Sequence, residues 1–364
     1  MNSSKSTFTH ALFNDVIPEF YSLNNFRHIK PYFFTYKTFA KERWLSKSLI
    51  SVFCSEFLDR NKEYYSNAIK NGYIRVNGQI VQEEYLIKNS DLITHFIERY
   101  EPPINDNIRI IFENEDMLVV EKPAPLPVHP TGRYRFNTLI GILMTEMGYK
   151  KLAIINRLDK SVTGIVILSK NEVSARKLHS LIGSRQFTKE YICKVKGMFP
   201  ENLVCKKPIN LINHKLCLSS VSDTGKECLT VFQRLWTNSD YSLVKASPIT
   251  GRSHQIRVHL QYLGFPIIGD SLYGNKYWGS FAPSTVYTEE ELNSICQSIL
   301  SEKKNVQSCT TQCCDSCRSN KFTDDVFEKI YLHAYKYSSS EWEFRSKYPN
   351  WASECFSDLS NKID

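Results

Sequence analysis

The chain has 364 residues, of which 42% are apolar and 23% charged, the composition of a chain that folds around a core. No stretch of about 18 apolar residues occurs, so nothing is expected to span a membrane. The formal charge of +8 and pI of about 8.8 are mildly basic and far from histone-like, so nucleic acid as a partner needs local support.

The opening Met1-Asn2-Ser3-Ser4-Lys5 leads into polar sequence with no apolar signal region, and Asp15 and Glu19 come too early for an Arg-rich, acid-free presequence. The 11 cysteines are therefore expected to be reduced, in a cytoplasmic protein for which a nuclear or mitochondrial pool is also compatible. Residues 1–25 read as a flexible lead-in. Residues 27–62 carry eight Lys/Arg against three Asp/Glu, interleaved with Tyr32, Phe33, Phe34, Tyr36, Phe39 and Trp44. Cations meet phosphates and rings stack on bases, which suits nucleic acid. The same rings could equally pack into a core.

The stretch from Tyr64 reads as a helix ending at Gly72. Ile74 and Val76 then alternate with polar residues up to Asn77-Gly78, a strong tight-turn signal. A second alternating piece closes on Asn89-Ser90-Asp91-Leu92-Ile93. This stretch resembles the S4 RNA-binding module, whose pattern is Ile-x-x-Gly-x-Val-x-Val-Asn-Gly followed by Asp-x-Ile. Glu101-Pro102-Pro103 reads as a linker.

A denser apolar pattern follows. Residues 108–112 and 117–120 read as two strands joined by Glu113-Asn114-Glu115-Asp116, and Lys122-Pro123-Ala124-Pro125 as an extended loop. Ile165-Val166-Ile167-Leu168 is a short β-branched run that suits a buried strand. Residues 175–182 read as helical, 191–195 and 229–235 as strands, and 251–263 as holding a helix that starts near Ser253. Residues 280–325 turn polar and read as an insertion, after which 331–334 return to a core element. Short strands with few helices favour an α+β fold over a doubly wound sheet.

Two segments carry candidate chemistry. In Asn156-Arg157-Leu158-Asp159-Lys160-Ser161-Val162-Thr163-Gly164 a loop brings an arginine close to a carboxylate. A neighbouring cation favours the charged form of Asp159, which could then act as nucleophile or base. Taken alone, the loop reads as an ordinary ion pair. Downstream come Lys189-Glu190-Tyr191 and the donor-dense Gly251-Arg252-Ser253-His254-Gln255-Ile256-Arg257-Val258-His259-Leu260. On a helix, His254 and Arg257 lie three residues apart and share a face, from which Arg257 can point at a carboxylate elsewhere.

In this order the segments resemble the RluA branch of RNA pseudouridine synthases. Its hallmark is His-Arg-Leu-Asp-x-x-Thr-Ser-Gly, then Lys-x-Tyr, then Gly-Arg-x-His-Gln-Ile-Arg-x-His. The likeness covers roughly residues 108–275 and includes Gly264-Phe265-Pro266-Ile267-Ile268-Gly269-Asp270. Glu101-Pro102-Pro103, Cys314-Asp315-Ser316-Cys317 and Leu332-His333-Ala334 are similar to the eukaryotic tRNA branch. The resemblance implies a pseudouridine synthase fold with a central mixed, mainly antiparallel sheet, and isomerisation of uridine in RNA. It favours the tRNA anticodon loop, position 32 above others.

It further implies Asp159 as catalytic carboxylate, Tyr191 against the uracil ring and Arg257 as partner of Asp159. Arg157 would fill the gap left by a flipped base, with Lys189, Arg252 and His254 as further RNA-binding donors. The chain departs from the family at Asn156, where histidine is usual, and at Val162-Thr163. Asn156 keeps a hydrogen-bonding group without a titratable ring, so no proton transfer is assigned to it.

No metal or organic cofactor is implied, and a monomer acting on RNA away from membranes is expected. Cys309, Cys313, Cys314 and Cys317 could furnish four thiolates, but they do not form two separated Cys-x-x-Cys knuckles, and a reduced polar insertion is expected. The domain reading is 1–25 flexible, 26–104 basic and aromatic with the S4-like module, 105–279 catalytic core, 280–325 insertion, and 326–364 a return to the core with a tail. A non-catalytic RNA-binding or RNA-folding protein on the same scaffold is the alternative, and the joint presence of Asp159, Tyr191 and Arg257 argues against it. A phosphotransferase is discounted, because no Gly-rich phosphate loop precedes Arg157-Leu158-Asp159-Lys160 and no Asp-Phe-Gly follows.

Overall fold

A computed structural model describes residues 17–57, 60–184, 186–214, 216–279, 283–304, 329–353 and Cys355. Cys309, Cys313, Cys314 and Cys317 lie outside the described residues.

Ten strands form one sheet. Its order runs Asn202–Cys205, Thr230–Thr237, Tyr241–Pro248, Thr188–Lys196, Leu332–Ser338, Thr163–Ser169, Met117–Lys122, Arg109–Glu113. Ala153–Ile154 and Glu343–Arg345 pair at the side. Every pairing is antiparallel except that of Leu332–Ser338 with Thr163–Ser169, so the sheet is mixed and mainly antiparallel, as expected of an α+β fold. Ile165, Val166, Ile167 and Leu168 are fully buried. Their β-branched side chains suit a strand covered on both faces.

The parallel joint is tight. Thr163 sits opposite His333 and Gly164 opposite Ala334. Gly164 has φ +112°, outside the reach of most side chains, and a Cβ there would strike the Ala334 carbonyl. Gly164→Ala is therefore expected to cost about 3 kcal/mol or more, combining backbone strain with a split joint. Denaturant unfolding measures it, and a loss under about 1 kcal/mol would contradict the account.

His333 anchors the same joint, sharing hydrogen bonds with Thr163 Oγ1 (2.7 Å) and Ser346 Oγ. Burial pushes its pKa down to about 4, with Arg109 adding to the effect and the Lys347 backbone opposing it. The unfolded chain takes up this proton near pH 6.5, whereas the folded chain resists until about pH 4. Stability from this group is thus intact above pH 6.5 and falls as pH drops through that window, by up to about 3 kcal/mol. His333→Gln should flatten this part of the acid limb in unfolding curves taken between pH 7 and 4; an unchanged limb would refute the assignment.

The N-terminal region has its own small sheet, ordered Tyr32–Phe39, Leu92–Arg99, Ile74–Val76. Helices Leu49–Glu56 and Lys62–Lys70 build a core with it from Trp44, Leu49, Phe53, Tyr65 and Ile74. Ser48 and Asn61 cap the helix starts by accepting the N–H groups of Ser51 and Tyr64. Asn77 and Gly78 both take positive φ, making the tight turn that their dipeptide signals. The Asn77 side chain donates to Asp91 and accepts the Leu92 N–H, which ties the turn to the next strand.

Three elements differ from the sequence reading. Phe20–Leu23, inside what reads as a loose lead-in, forms a hairpin with Phe26–Ile29 just beyond it. It is held by Arg27, whose buried guanidinium donates to Asn137 (3.1 Å) and Glu146 (2.6 Å). Glu101-Pro102-Pro103 is not a solvated linker but a buried strap. The Glu101 carboxylate accepts the N–H groups of Arg135, Phe136 and Asn137 and the Tyr32 hydroxyl. The prolines bring no N–H of their own into the interior, which makes the burial inexpensive. Finally, the segment that reads as a polar insertion contains the helix Glu289–Lys304. Leu292, Ile295, Cys296 and Ile299 are buried at helical spacing among otherwise polar residues.

Candidate active site

The Asp159 loop enters the buried strand Thr163–Ser169 and is fastened from several sides. Asn156 Nδ2 donates to Ile165 O (3.1 Å) and to the Tyr337 hydroxyl (3.2 Å), and Asn156 Oδ1 accepts the Ile167 N–H (2.7 Å). Beneath the loop Lys122 is fully buried, and its ammonium donates to the carbonyls of Leu126 (2.7 Å), Pro123 (3.0 Å) and Lys160 (3.3 Å). Burial pushes the Lys122 pKa down to about 7, against the pull of Asp159. Val162 is buried in the main core. The two departures from the family pattern therefore have structural places: Asn156 as a brace, Val162 as packing.

The helix Gln255–Tyr262 delivers the partner of Asp159. Each of its eight residues is buried, and the polar ones are satisfied. Gln255 accepts from Thr250 Oγ1 and Arg252 N and donates to Leu229 O and Thr230 Oγ1. His259 bonds to Thr230 Oγ1 and Lys207 O. Both residues brace the helix against neighbouring backbone, which leaves Arg257 as the side chain that meets the loop.

Arg257 bridges two carboxylates. Its Nη1 donates to Asp159 Oδ2 at 2.7 Å. Its Nε and Nη2 grip Asp270 Oδ2 and Oδ1 at 2.7 and 2.8 Å. Asp270 is completely buried and also accepts the N–H groups of Leu272 and Tyr273, so its charge is fully compensated. The guanidinium fork is thereby aimed before any ligand arrives. Asp270 lies inside the Gly269-Asp270 motif, but its role follows only from this bidentate geometry.

His254 is not within the helix, as the spacing suggests, but caps its start in the left-handed region at φ 57°. A non-glycine residue there is strained, and such strain gathers at functional sites. The conformation brings His254 Nε2 to 3.5 Å from Asp159 Oδ2. On the other side, Nδ1 lies 2.9 Å from the Tyr273 hydroxyl, which accepts the Ser219 N–H. Tyr273 then has its own proton to give Nδ1, which leaves the neutral ring's hydrogen on Nε2, toward Asp159.

The Asp159 side chain is 35% exposed, open on one side to a ligand. Burial of its inner side raises the carboxyl pKa, but His254 and Arg257 more than cancel this and hold it below the usual carboxylate range. Burial lowers the His254 pKa against the pull of Asp159. Arg257 is the permanent cation bonded to Asp159, with buried Lys122 behind it.

Tyr191 lies on the strand Thr188–Lys196 at a bulge between Glu190 and Tyr191, a device that re-aims a side chain. Its hydroxyl is 2.5 Å from that of Tyr337, which continues to Asn156. Burial, then Tyr337 and Asp159, push its pKa far above the ordinary phenol value, so it stays a protonated phenol. Tyr337 comes from the strand Leu332–Ser338 and carries no sequence signal of its own.

The remaining candidates form a rim. Arg157 is exposed, and its charge depresses the pKa of half-buried His129, second to the effect of burial. His129 lies in the loop after Pro127-Val128, and its nearness to Arg157 is visible only in three dimensions. Lys189 is partly buried near Gly251, and burial lowers its pKa. Arg252 is exposed and donates to Glu227 O at 3.3 Å. Asp159, Arg257 and His254 thus converge, Tyr191 stands close by, and Arg157, Lys189 and Arg252 lie around them. Among the described residues no group of three His, Cys, Asp or Glu side chains could hold a metal ion.

A family model described as RNA pseudouridylate synthase matches residues 116–262, which include Asp159, Tyr191 and Arg257. The chain is 39% identical over 355 residues to tRNA pseudouridine(32) synthase, mitochondrial, of Saccharomyces cerevisiae, covering 90% of this chain and 77% of the relative. It is 32% identical over 394 residues to tRNA pseudouridine(31) synthase of the same yeast, covering 92% and 97%. To human pseudouridylate synthase RPUSD2 it is 38% identical over 292 residues, 79% of this chain and 54% of the relative, so it spans about half that protein's length.

Proposed function

The chain belongs to the RluA-type RNA pseudouridylate synthase family, and from that premise we propose that it isomerises a uridine of the tRNA anticodon loop, with Asp159 as the reacting carboxylate. Membership makes it an isomerase acting on RNA uridine. The tRNA target rests on the names of the two yeast relatives, which specify positions 32 and 31; position 32 is favoured. The observation that carries Asp159 is its pairing at 2.7 Å with an arginine already fixed by a buried second carboxylate.

The reaction breaks N1–C1′ and joins C5 to C1′, with the C5 proton lost and N1 protonated, so no redox partner is required. The uridine must first leave its stack, which costs a few kcal/mol. Arg157, exposed beside the loop, is suited to fill the gap with its flat guanidinium. Asp159 then attacks C1′ or removes the C2′ proton; both routes need the same ionised oxygen at the same place. Arg257 keeps that oxygen charged and fixed, and His254 supplies a second donor beside it. Tyr191 lies against the base as a phenol rather than a phenolate. Lys189 and Arg252 meet the phosphates around the site, and the N-terminal region acts as an S4-like RNA-binding module. The enzyme works as a monomer. No described helix is long and apolar enough to cross a membrane. We assign the chain to the cytoplasm with a mitochondrial pool, the latter from the first yeast relative's name.

The test is chemical mapping of pseudouridine in unmodified tRNA transcripts incubated with the purified full chain. A new signal is expected in the anticodon loop, at uridine 32 before 31, and none with Asp159→Asn. Signal persisting in that variant would remove Asp159 from the reaction. Wild-type protein that binds every tRNA and modifies none would favour an RNA-binding role.

A further inference from the structure

The aromatics of the basic N-terminal stretch are sorted by the fold. Trp44 enters the core. Phe34 and Tyr36 lie under the Arg99 guanidinium, 5.3 and 5.1 Å from it. Phe33 and Phe39 point the other way. The strand Tyr32–Phe39 places Thr35 opposite Phe96 and Lys37 opposite Thr94, and Arg75 lies opposite Thr94 on the other side. Alternation along the strands then puts Phe33, Lys37, Phe39, Phe96 and Arg75 on one face, away from the helices.

That face is open among the described residues. Phe33 is 69%, Phe39 65% and Phe96 42% exposed. Phe33 and Phe96 lie parallel, with ring centres 5.3 Å apart and planes 7° from each other. Lys37 and Arg75 are exposed beside them, the latter steadied by the Gly72 carbonyl at 2.9 Å. The carboxylate on this face, Glu98, is engaged by the Tyr100 hydroxyl at 2.7 Å.

We propose that this sheet face is a second RNA site, a platform on which unpaired bases stack while Lys37 and Arg75 hold the adjoining phosphates. It rests on the reading of RNA as the substrate class and adds a binding surface on a sheet separate from the one that carries the Asp159 loop. Flat exposed rings bordered by cations and threonines suit bases on a polyanion, since every base offers a π-face. A protein partner would need its own carboxylates opposite Lys37 and Arg75, whereas a nucleic-acid strand carries negative charge at every phosphate. A second copy of a chain with charge +8 would be repelled.

The test uses the full chain and a fluorescent 12-nucleotide oligouridylate, with affinity read by anisotropy. F33A/F96A should weaken binding about tenfold or more, the size of one lost base stack, whereas F33Y/F96Y should bind as wild type does. With tRNA, F33A/F96A should raise KM by a similar factor at unchanged kcat. K37E/R75E should flatten the salt dependence of binding, since fewer counterions are displaced. Pseudouridine formation at saturating tRNA reads the Asp159 site and oligouridylate affinity reads the platform, so failure of the catalytic assignment and failure of the platform give separate readouts. Unchanged oligouridylate affinity in F33A/F96A overturns the proposal. So does self-association that F33A/F96A abolishes at unchanged RNA affinity, which would assign the face to a second copy.

Discussion

Asp159→Asn should lower pseudouridine formation by at least about 10⁴-fold, the order lost when a nucleophile or general base is removed, while the chain stays folded. The amide has nearly the shape of the carboxylate, and Arg257 keeps its two bonds to buried Asp270, so no charge is orphaned. What disappears is the negative oxygen that either route through C1′ or C2′ requires. Single-turnover kinetics on tRNA, paired with thermal melting, separates the effects. Turnover within about tenfold of wild type would exclude Asp159 as the reacting group, and a collapse of the melting transition would recast it as structural.

Arg257→Met should be damaging in two ways at once. The methionine fills much of the space but leaves Asp270 completely buried with its guanidinium partner gone. Removing one side of a buried ion pair typically costs about 3–5 kcal/mol. For a chain of this size that corresponds to a fall of roughly 4–7 °C in melting temperature. The second effect falls on the site. Without Arg257, burial is opposed by His254 and by Lys122 beneath the loop, and the unpaired Asp270 adds a second negative charge nearby, so the Asp159 pKa rises. Catalysis needs the ionised form and is lost as pH falls through that higher pKa, so the acid limb of kcat/KM moves to higher pH. Turnover at neutral pH should drop by about 10²-fold or more, because the oxygen loses its fixed aim. Arg257→Lys restores a charge but not the fork that spans both carboxylates, and should recover only part of either loss. An acid limb that stays in place would refute the electrostatic role.

The sequence carried the chemistry better than the architecture around it. Asp159, Tyr191 and Arg257 sit in motifs whose residue types announce a charged site, and the fold brings them together. The β-branched run Ile165-Val166-Ile167-Leu168 could hardly be anything but a covered strand. Local chemistry of this kind is written in short windows. Asp270, Tyr273 and Tyr337 are different, because their roles depend on partners 13 to 181 positions away. Glu101 beside two prolines has the composition of a linker, and only the three amide groups around residue 136 show why it is buried. The helix Glu289–Lys304 is hidden in the sequence because its four buried apolar positions are diluted among acids and lysines, so average polarity masks their spacing. The aromatic stretch after Arg27 could not be divided from sequence into core and surface, since strand register decides which ring faces out.

The strand Leu332–Ser338 lies in the middle of the ten-stranded sheet, between Thr188–Lys196 and Thr163–Ser169, although it comes near the end of the chain. It also supplies Tyr337, through which Tyr191 and Asn156 are joined. Vectorial synthesis therefore delivers the Asp159 loop and the Arg257 helix long before the strand that wedges between their halves. Until then each half presents an unpaired edge, the kind of template on which nascent chains aggregate. A ribosome stalled before residue 332 would hold a polypeptide with Asp159, Tyr191 and Arg257 but without the strand that joins the two halves of the sheet. Joining the two halves thus waits for a strand made after both, which places assembly of the site late in folding.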